Sequence, residues 1–275
     1  MIISVLSGKG GTGKTTISTN LSILMNYTYV DCDVEEPNGF LFLKPSIEKN
    51  IPVGVLNPLI DNEKCTLCKI CATECQFNAL AGLKNNIMLF DKLCHSCGTC
   101  SLVCKYDAIK EINREIGHIK KGNFKGNTVY EGRINVNEPM GIAIIKKLKE
   151  LASKEDNVLL DSPPGTSCNV VETLQDVDYA VLVTEPSAFG LHDMDMAYNL
   201  TKKYNIKSGI IINRSNEDDY IIEDYAKKNN IKILGKIPFS KQAAKIYSNA
   251  ELLIEDDYLK THFENIKNNI LKEIK

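Results

Sequence analysis

The residues best suited to chemistry stand near the start of this 275-residue chain, in the run Gly8-Lys9-Gly10-Gly11-Thr12-Gly13-Lys14-Thr15-Thr16. Two glycines flank four residues, and a lysine and a threonine follow, which is the template of a phosphate-binding loop. Its glycines let backbone N–H groups close on phosphate oxygens, while Lys14 reaches the β- and γ-phosphates and the Thr15 hydroxyl binds Mg²⁺. We therefore expect a nucleotide site here; the alternative is a glycine-rich turn without a ligand.

The segments around this run are those that a phosphate site needs. Residues 2–6 are a short apolar run typical of a strand, and residues 16–25 have the character of a helix. The N-terminus of a helix adds partial positive charge and free N–H groups to the loop. The sequence thus predicts a strand, a loop and a helix N-terminus that together bind the phosphates.

Lys9 is a second lysine inside the loop, directly after its first glycine. With this lysine the sequence resembles the deviant phosphate-loop ATPases, the family of MinD, Mrp-type carriers and the nitrogenase iron protein. The resemblance implies a homodimer in which Lys9 reaches the nucleotide of the opposite subunit, so that ATP lies between two protomers. A cation supplied in trans stabilises charge on the transferred phosphoryl group, as an arginine finger does. The alternative is a lysine that simply projects into solvent.

Carboxylates stand at the ends of two further apolar runs. Asp31 ends the run at residues 28–31 and Asp33 follows two residues later, and Asp161 ends the run at residues 157–161. Ligands of α/β sheets bind at the carboxyl ends of the strands. The resemblance implies that Asp33 orients the attacking water, that Asp31 lies near the Mg²⁺ shell, and that Asp161 binds Mg²⁺ through water. The alternative role of Asp31 and Asp33 is to cap a turn.

Two later positions match those that lie near the adenine base in the same family. They are Asn213, whose amide can read the edge of the base, and Pro238, which precedes Phe239. For Asn213 the alternative is a helix or turn cap.

A second chemical signature lies between residues 65 and 104. Each of two arrays has four cysteines separated by two, two and three residues, the spacing of bacterial ferredoxins. Similar residues follow both arrays, Asn-Ala-Leu at 78–80 and Asp-Ala-Ile at 107–109, which indicates an internal duplication. The arrays are Cys65, Cys68, Cys71 and Cys75, then Cys94, Cys97, Cys100 and Cys104.

The ferredoxin spacing divides these thiols between two cubane clusters. Three cysteines of one compact turn reach one cluster, and the fourth lies beyond its reach and ligates the other cluster. Zinc is the alternative, but it normally uses two paired Cys-x-x-Cys arms. The prediction is one [4Fe–4S] cluster on Cys65, Cys68, Cys71 and Cys104 and a second on Cys94, Cys97, Cys100 and Cys75.

Three residues near these signatures are given no chemical role. His95 stands between two ligands of a sulfur set that is already complete, so we expect it at the surface. Cys32 and Cys168 lie outside the arrays. We interpret Cys168 as a small buried or interface thiol; the alternative, implied by the resemblance to the nitrogenase iron protein, is a cluster held between two subunits.

Composition sets the class of protein. The chain is 43% apolar and 25% charged, as in ordinary soluble globular proteins, and its net charge of −2 gives no argument for nucleic acid. No apolar run approaches the roughly 20 residues that span a bilayer, and no signal peptide is recognisable, so we expect the cytoplasm. Residues 256–275 have an apolar stripe, which we interpret as a packed terminal helix rather than a membrane anchor.

The predicted fold is α/β, a mostly parallel sheet with helices on both faces and a small inserted ferredoxin-like α+β domain. We assign residues 1–58 and 113–275 to the ATPase domain and residues 59–112 to the insertion. Proline-punctuated residues 40–60 are expected to form short strands and turns. A hairpin is expected within residues 128–136, where polar and apolar residues alternate.

Taken together, the two signatures predict a Mg²⁺-dependent ATPase, slow and stimulated by a partner, that binds ATP or ADP and two [4Fe–4S] clusters. The main hypothesis is that nucleotide state controls electron transfer through the clusters to a redox or metallocofactor partner protein. An alternative is an ATPase for assembling or carrying iron–sulfur clusters or metallocofactors. A second alternative is a MinD-like positioning scaffold.

Overall fold

The computed structural model describes residues 1–274. Its strands, in chain order, are β1 (Ile2–Leu6), β2 (Thr28–Asp31), β3 (Ser46–Ile60), β4 (Leu80–Gly82), β5 (Ile87–Leu89), β6 (Ile109–Phe124), β7 (Asn127–Ile134), β8 (Val158–Asp161), β9 (Tyr179–Thr184), β10 (Ser208–Ser215) and β11 (Lys232–Pro238). The helices are α1 (Lys14–Met25), α2 (Gly39–Leu43), α3 (Ile70–Thr73), α4 (Thr99–Leu102), α5 (Ile142–Ala152), α6 (Cys168–Leu174), α7 (Ala188–Lys203), α8 (Tyr220–Asn229), α9 (Lys241–Ser248) and α10 (Asp257–Ile274). Short 3₁₀ turns lie at Asp91–Leu93, Glu217–Asp219 and Leu253–Glu255.

One nine-stranded sheet organises the molecule, in the order β11-β10-β9-β1-β8-β2-β7-β6-β3. The seven strands from β11 to β7 pair in parallel, and β6 and β3 extend the sheet in antiparallel fashion. Strands β2, β8 and β9 are buried along their whole length, as parallel strands covered on both faces must be. The mostly parallel α/β sheet predicted from the sequence is therefore confirmed.

Helices cover both faces of this sheet. On one face α1 and α10 pack through Ile17, Leu21 and Phe263. On the other face, α5 packs through Ile144 in one cluster, and α7 packs through Met194 and α8 through Ile222 in a second. The carboxyl ends of the central strands are left free for a ligand.

The terminal helix α10 belongs to this core. Its apolar positions Leu259, Phe263, Ile266 and Ile270 are buried against the sheet, in agreement with the interpretation as a packed helix. Within residues 1–274, no helix is long and apolar enough to cross a membrane.

Two expectations about local structure are wrong. Residues 46–60 form the single long strand β3 instead of short strands and turns. Its Pro52 and Pro58 are tolerated because β3 is the edge of the sheet and pairs with β6 on one side only. The expected hairpin within residues 128–136 is instead one strand, β7, which pairs with β6 through a turn at Lys125 and Gly126.

The long pair β3–β6 carries a small lobe formed by residues 61–108. The lobe consists of α3, α4 and a separate two-stranded sheet, β4–β5. Both strands run through the boundaries expected at residues 58 and 112, because Ile60 still pairs with Ile109. The ribbon therefore passes without a break from the main sheet into the lobe.

Candidate functional site

The phosphate-binding run forms the floor of a cavity of about 550 Å³ at the carboxyl ends of the central strands. Gly13 has a φ of 89°, and a Cβ there would lie 2.2 Å from the Asn213 amide nitrogen, so the turn into α1 requires glycine. Lys9, Thr15, Thr16 and the loop glycines other than Gly8 line the cavity; Gly8 packs instead against the backbone of Asp193.

Lys14 forms the centre of a buried polar network behind this loop. Its Nζ donates to Oδ1 of Asp161 at 3.1 Å, and the Ser18 hydroxyl donates to the same oxygen at 3.1 Å. Burial alone would lower the pKa of Lys14, but the carboxylates of Asp161, Asp33 and Asp31 outweigh it and raise the pKa above its ordinary value. The strand-end Asp161 thus lies next to the phosphate-loop lysine, and its role on the Mg²⁺ side stays a prediction.

Asp31 has different surroundings. It is fully buried, and its oxygens accept from the backbone N–H groups of Asp33, Asn38 and Gly39 at 3.1, 3.2 and 2.9 Å. Burial and the nearby Asp161 carboxylate raise the pKa of Asp31 well above its usual range. The carboxylate therefore organises the loop between β2 and α2. The position of Asp31 near the Mg²⁺ shell stays a prediction, because backbone N–H groups already bind its carboxylate oxygens.

Asp33 is half-buried and lines the cavity beside Lys14. Burial disfavours its charged form and raises the pKa of the carboxyl group to about 6, although the Lys14 ammonium works in the opposite direction. A carboxyl group with a pKa near neutrality is suited to accepting a hydrogen bond from a water molecule.

Lys9 stands at the mouth of the cavity. Its Nζ lies 2.7 Å from Glu185 at the end of β9, and Arg214 binds the other oxygen of the same carboxylate at 3.0 Å. Hydrogen bonding to Lys9 lowers the pKa of Glu185 despite partial burial. The protomer therefore holds Lys9 in an ion pair of its own. Reach toward a second subunit remains a prediction.

The two residues expected near the base line the opposite wall. Pro238 ends β11 and Phe239 follows it, and the Asn213 amide donates to the backbone oxygen of Thr12 at 2.7 Å. This bond joins β10 to the phosphate loop. The buried Thr12 hydroxyl has no hydrogen-bond partner among residues 1–274. An unpaired buried donor inside the loop fits an anionic ligand.

The eight array cysteines line two separate small cavities in the lobe. Leu80, Ile87 and Ile109 pack with Cys71 into the small core of the lobe. All ten cysteines are free thiols. Among residues 1–274 no three Cys, His, Asp or Glu side chains converge on a point that could hold a single metal ion. One cavity is lined by Cys65, Cys68, Cys71 and Cys104, and the other by Cys75, Cys94, Cys97 and Cys100.

The two halves of the lobe repeat in detail. The backbone N–H of Ala79 donates to the Cys75 sulfur at 3.3 Å, and that of Ala108 donates to the Cys104 sulfur at 3.4 Å. The residues with left-handed backbone also correspond at the spacing of the cysteines: Leu67, Lys69 and Asn78 in the first half, and Ser96, Gly98 and Asp107 in the second. The internal duplication inferred from the sequence is thus a duplication of backbone conformation.

The thiols differ in their surroundings. A hydrogen bond with the Thr99 hydroxyl lowers the pKa of Cys97, whereas burial raises the pKa of Cys100 to about 11. His95 is exposed, as expected, and its ring stacks on Phe77 at a centroid distance of 3.8 Å. Of the two other cysteines, Cys32 is buried and Cys168 is exposed at the start of α6.

Comparison with known proteins agrees with this geometry. The sequence profile of the CobQ/CobB/MinD/ParA nucleotide binding domain matches residues 3–254. The chain belongs to this nucleotide-binding family. An uncharacterized protein of Methanocaldococcus jannaschii, MJ0578, is 34% identical over 94% of the chain and 91% of its own length.

Two further similarities are informative in different ways. An iron-sulfur cluster carrier protein of Methanocaldococcus jannaschii is 25% identical over 88% of this chain and 73% of its own length. The cell division ATPase MinD of Pyrococcus furiosus superposes with a TM-score of 0.60 over 98% of both chains, at 21% identity. At that identity the superposition supports the fold alone.

One polar contact ties the lobe of this MinD/ParA-type protein to the main sheet domain apart from the ribbon. Lys92 in the lobe and Arg114 on β6 both donate to the carboxylate of Glu138, which precedes α5. Among residues 1–274, the Lys92–Glu138 pair is the one side-chain hydrogen bond between residues 61–108 and the chain beyond the ribbon. The Glu138 side chain is 6% exposed, and its two cations lower its pKa although burial works against them.

Glu138 is also close to the loop that follows β2. It lies in the turn between β7, where Ile134 N–H donates to the Val34 oxygen at 2.9 Å, and the start of α5. A Cβ on Gly141 would lie 2.4 Å from Val34, so this turn packs directly against the same residue. The segment containing Asp33 and the lobe are therefore both in contact with the residues 134–141.

Sequence reasoning missed several residues of this family site. Ser18, Tyr29 and Glu185 complete the surroundings of Lys14 and Lys9, yet none belongs to a recognisable motif. Ser18 follows Lys14 by one helical turn and could have been inferred from the i, i+4 spacing. Tyr29 and Glu185 come from other strands, and only the sheet order brings them to the loop.

Proposed function

We propose that this chain is an ATP-hydrolysing iron–sulfur protein that acts in the assembly or carriage of iron–sulfur clusters or metallocofactors. The observation that carries the proposal is the partition of eight cysteines into two four-thiol cavities on a lobe attached to a nucleotide site. A relative named as an iron-sulfur cluster carrier, within the same nucleotide-binding family, supports the assembly role over the others.

In the nucleotide site, we assign the roles from the phosphate-loop template and from position. Lys14 is the ligand of the β- and γ-phosphates and Thr15 that of Mg²⁺, because both line the cavity where α1 begins. Asp161 contributes to the Mg²⁺ site from β8, and Asp33 orients the attacking water. Asn213 and Pro238 contact the base. Lys9 leaves Glu185 and reaches the nucleotide of a second copy of the chain, which forms a homodimer.

In the lobe, four thiols for each cavity and an apolar surround fit a [4Fe–4S] cluster, whose ligands are normally cysteines. Such clusters, once bound, accept and release electrons at a potential set by their surroundings. Backbone N–H groups directed at the sulfurs of Cys75 and Cys104 suit thiolate ligands, because they stabilise negative charge. We assign residues 59–112 to this inserted domain.

The test is anaerobic purification followed by iron and sulfide analysis, then cluster transfer to an apo-protein with and without ATP. We expect about eight iron and about eight sulfide per chain, as two cubanes require, and transfer that depends on hydrolysable ATP. Iron near zero in fresh anaerobic protein would remove the proposal. The matched control is Lys14→Met, which keeps all cysteines and loses the phosphate ligand.

A second candidate function is electron transfer to a partner protein. It is favoured by the complete set of four thiols in each cavity, since a fully ligated cluster is suited to staying in place. Dithionite reduction distinguishes the two functions. ATP-dependent electron delivery without loss of iron indicates electron transfer, whereas loss of iron to the acceptor indicates carriage.

A further inference from the structure

The hydroxyl group of Tyr29 lies between the two buried carboxylates of the nucleotide site. Its oxygen is 3.0 Å from Oδ2 of Asp161 and 3.2 Å from Oδ2 of Asp31, and the Tyr29 side chain is fully buried. Tyr29 is on β2 and Asp161 is on the neighbouring strand β8. The hydroxyl therefore connects the ends of two strands that both contribute to the site.

The two carboxylates depend on this hydroxyl to different degrees. Asp31 accepts from three backbone N–H groups as well. Oδ1 of Asp161 accepts hydrogen bonds from Lys14 and Ser18. Oδ2 of Asp161 accepts a hydrogen bond from Tyr29, its single donor among residues 1–274. A phenol has a single proton to donate. Since Asp31 already has three backbone donors, we assign the hydrogen bond of the Tyr29 hydroxyl to Asp161.

The ring cannot move away from this position. A Cβ on Gly39 would lie 2.1 Å from the Tyr29 oxygen, so the backbone of α2 covers the hydroxyl closely. The same Gly39 donates its N–H to Asp31 at 2.9 Å. The first turn of α2 thus holds the hydroxyl against both carboxylates.

The balance of donors changes when nucleotide binds. A phosphate-loop lysine serves the β- and γ-phosphates, so Lys14 must turn from Asp161 toward the ligand. Asp161 then keeps two neutral donors, one on each oxygen, from Ser18 and Tyr29. A buried carboxylate oxygen without a donor carries a desolvation penalty and no longer has a fixed direction.

We propose that Tyr29 is a positioning residue for Mg²⁺ binding: its hydroxyl orients the Asp161 carboxylate toward the metal side once Lys14 has moved to the phosphates. The inference rests on the proposed ATP-binding function. Hydrogen bonds to a metal-side carboxylate fix its orientation, and losing one typically weakens metal binding by about 10- to 100-fold. The effect should therefore fall on the metal and leave the nucleotide alone.

The test is the variant Tyr29→Phe, compared with wild type for binding of ATP in EDTA and in a Mg²⁺ titration. We expect unchanged binding in EDTA and a Mg²⁺ requirement raised by about tenfold. The matched control is Tyr179→Phe, on β9, because the buried Tyr179 hydroxyl has no hydrogen-bond partner among residues 1–274. That variant should behave as wild type in both titrations.

An unchanged Mg²⁺ requirement in Tyr29→Phe would overturn the inference. An equal loss of ATP binding with and without Mg²⁺ would overturn it as well, because such a loss indicates general damage to the site. Wild-type protein that binds ATP under neither condition would instead refute the proposed function. Should Tyr29→Phe not fold, Ser18→Ala removes the other hydroxyl donor. It must raise the Mg²⁺ requirement in the same direction, and a normal requirement there also overturns the inference.

Discussion

The nucleotide site and the cysteine lobe achieve order in opposite ways. In the nucleotide site, Lys14, Asp161 and Asp31 are buried, and each has hydrogen-bond partners within the protein. Lys14 and Asp161 bind each other, and Asp31 accepts from backbone N–H groups and contacts the Tyr29 hydroxyl. In the lobe, two four-residue helices and two three-residue strands surround a small core, with several residues in left-handed backbone. The first region is pre-organised by packing, whereas the second has too little apolar core to be stable alone.

The two regions therefore gain their folding free energy from different sources. A buried ionic network is stable only when all its members are present, because removing one leaves a charge without a partner. A small domain built around thiols gains its folding free energy from the metal. The nucleotide site should therefore be sensitive to single polar substitutions, and the lobe to loss of its clusters.

The largest expected effect is local unfolding of the lobe when iron is removed. Anaerobic chelation should raise the hydrogen exchange rates of residues 61–108 by about 100-fold or more, because the binding free energy of structural metals amounts to several kcal/mol. Residues 1–45 and 127–274 should keep their protection, since their core is separate from that of the lobe. Exchange measured by mass spectrometry gives both rates in one sample. Equal protection of the lobe with and without iron would show that the lobe does not depend on its clusters for stability.

The second largest effect is expected in the nucleotide site, where a single polar substitution should destabilise the main domain. Asp161→Ala leaves the Lys14 ammonium buried without its partner, and we expect a loss of about 3–5 kcal/mol in the free energy of unfolding of the main domain. Denaturant unfolding followed by circular dichroism measures it. Asp224→Ala is the matched control, because Asp224 is exposed on α8. A main domain that is equally stable in both variants would contradict the pre-organised network.

The same contrast explains what could be predicted from the sequence. The phosphate loop and the partition of cysteines depend on local spacing, and the structure places most of the predicted nucleotide-site residues around one cavity and the eight cysteines around two. The contact between Tyr29 and Asp161 spans 132 residues, and no local pattern indicates it. The long strand β3 was missed because its prolines suggested turns, whereas their position at the sheet edge permits them.

The third effect concerns pH. The pKa of Asp33 is about 6, higher than in an unfolded chain, so protonation is favoured in the folded protein and the charged form predominates only above that value. If the carboxylate must accept a hydrogen bond from water, kcat/KM for ATP hydrolysis should fall about tenfold per pH unit below pH 6. The pH profile of initial rates measures this limb.

Asp33→Asn provides the control for the pH dependence. It should bind ATP, hydrolyse it slowly and lack the limb near pH 6, because the amide does not titrate. The same variant should be slightly more stable than wild type above pH 6, where wild type keeps a half-buried charge. A wild-type profile that stays flat down to pH 5 would show that Asp33 does not act as an ionised group.

The smallest effect tests whether the two regions act together. Lys92→Ala removes the contact with Glu138, and because Lys92 is 44% exposed, we expect at most about 1 kcal/mol of lost stability. Its consequence is geometric, since no side-chain hydrogen bond among residues 1–274 then joins the lobe to the chain beyond the ribbon. Distances between labels on unnatural amino acids at positions 86 and 203 should spread over a wider range than in wild type, and should respond less to ATP. Lys84→Ala, an exposed lysine of the β4–β5 turn, should leave the distances unchanged. A narrow distance distribution in Lys92→Ala that still shifts with ATP would contradict this expectation. It would show that the contact between Lys92 and Glu138 is not needed to connect the loop at Val34 with the lobe, and that the ribbon transmits the nucleotide state.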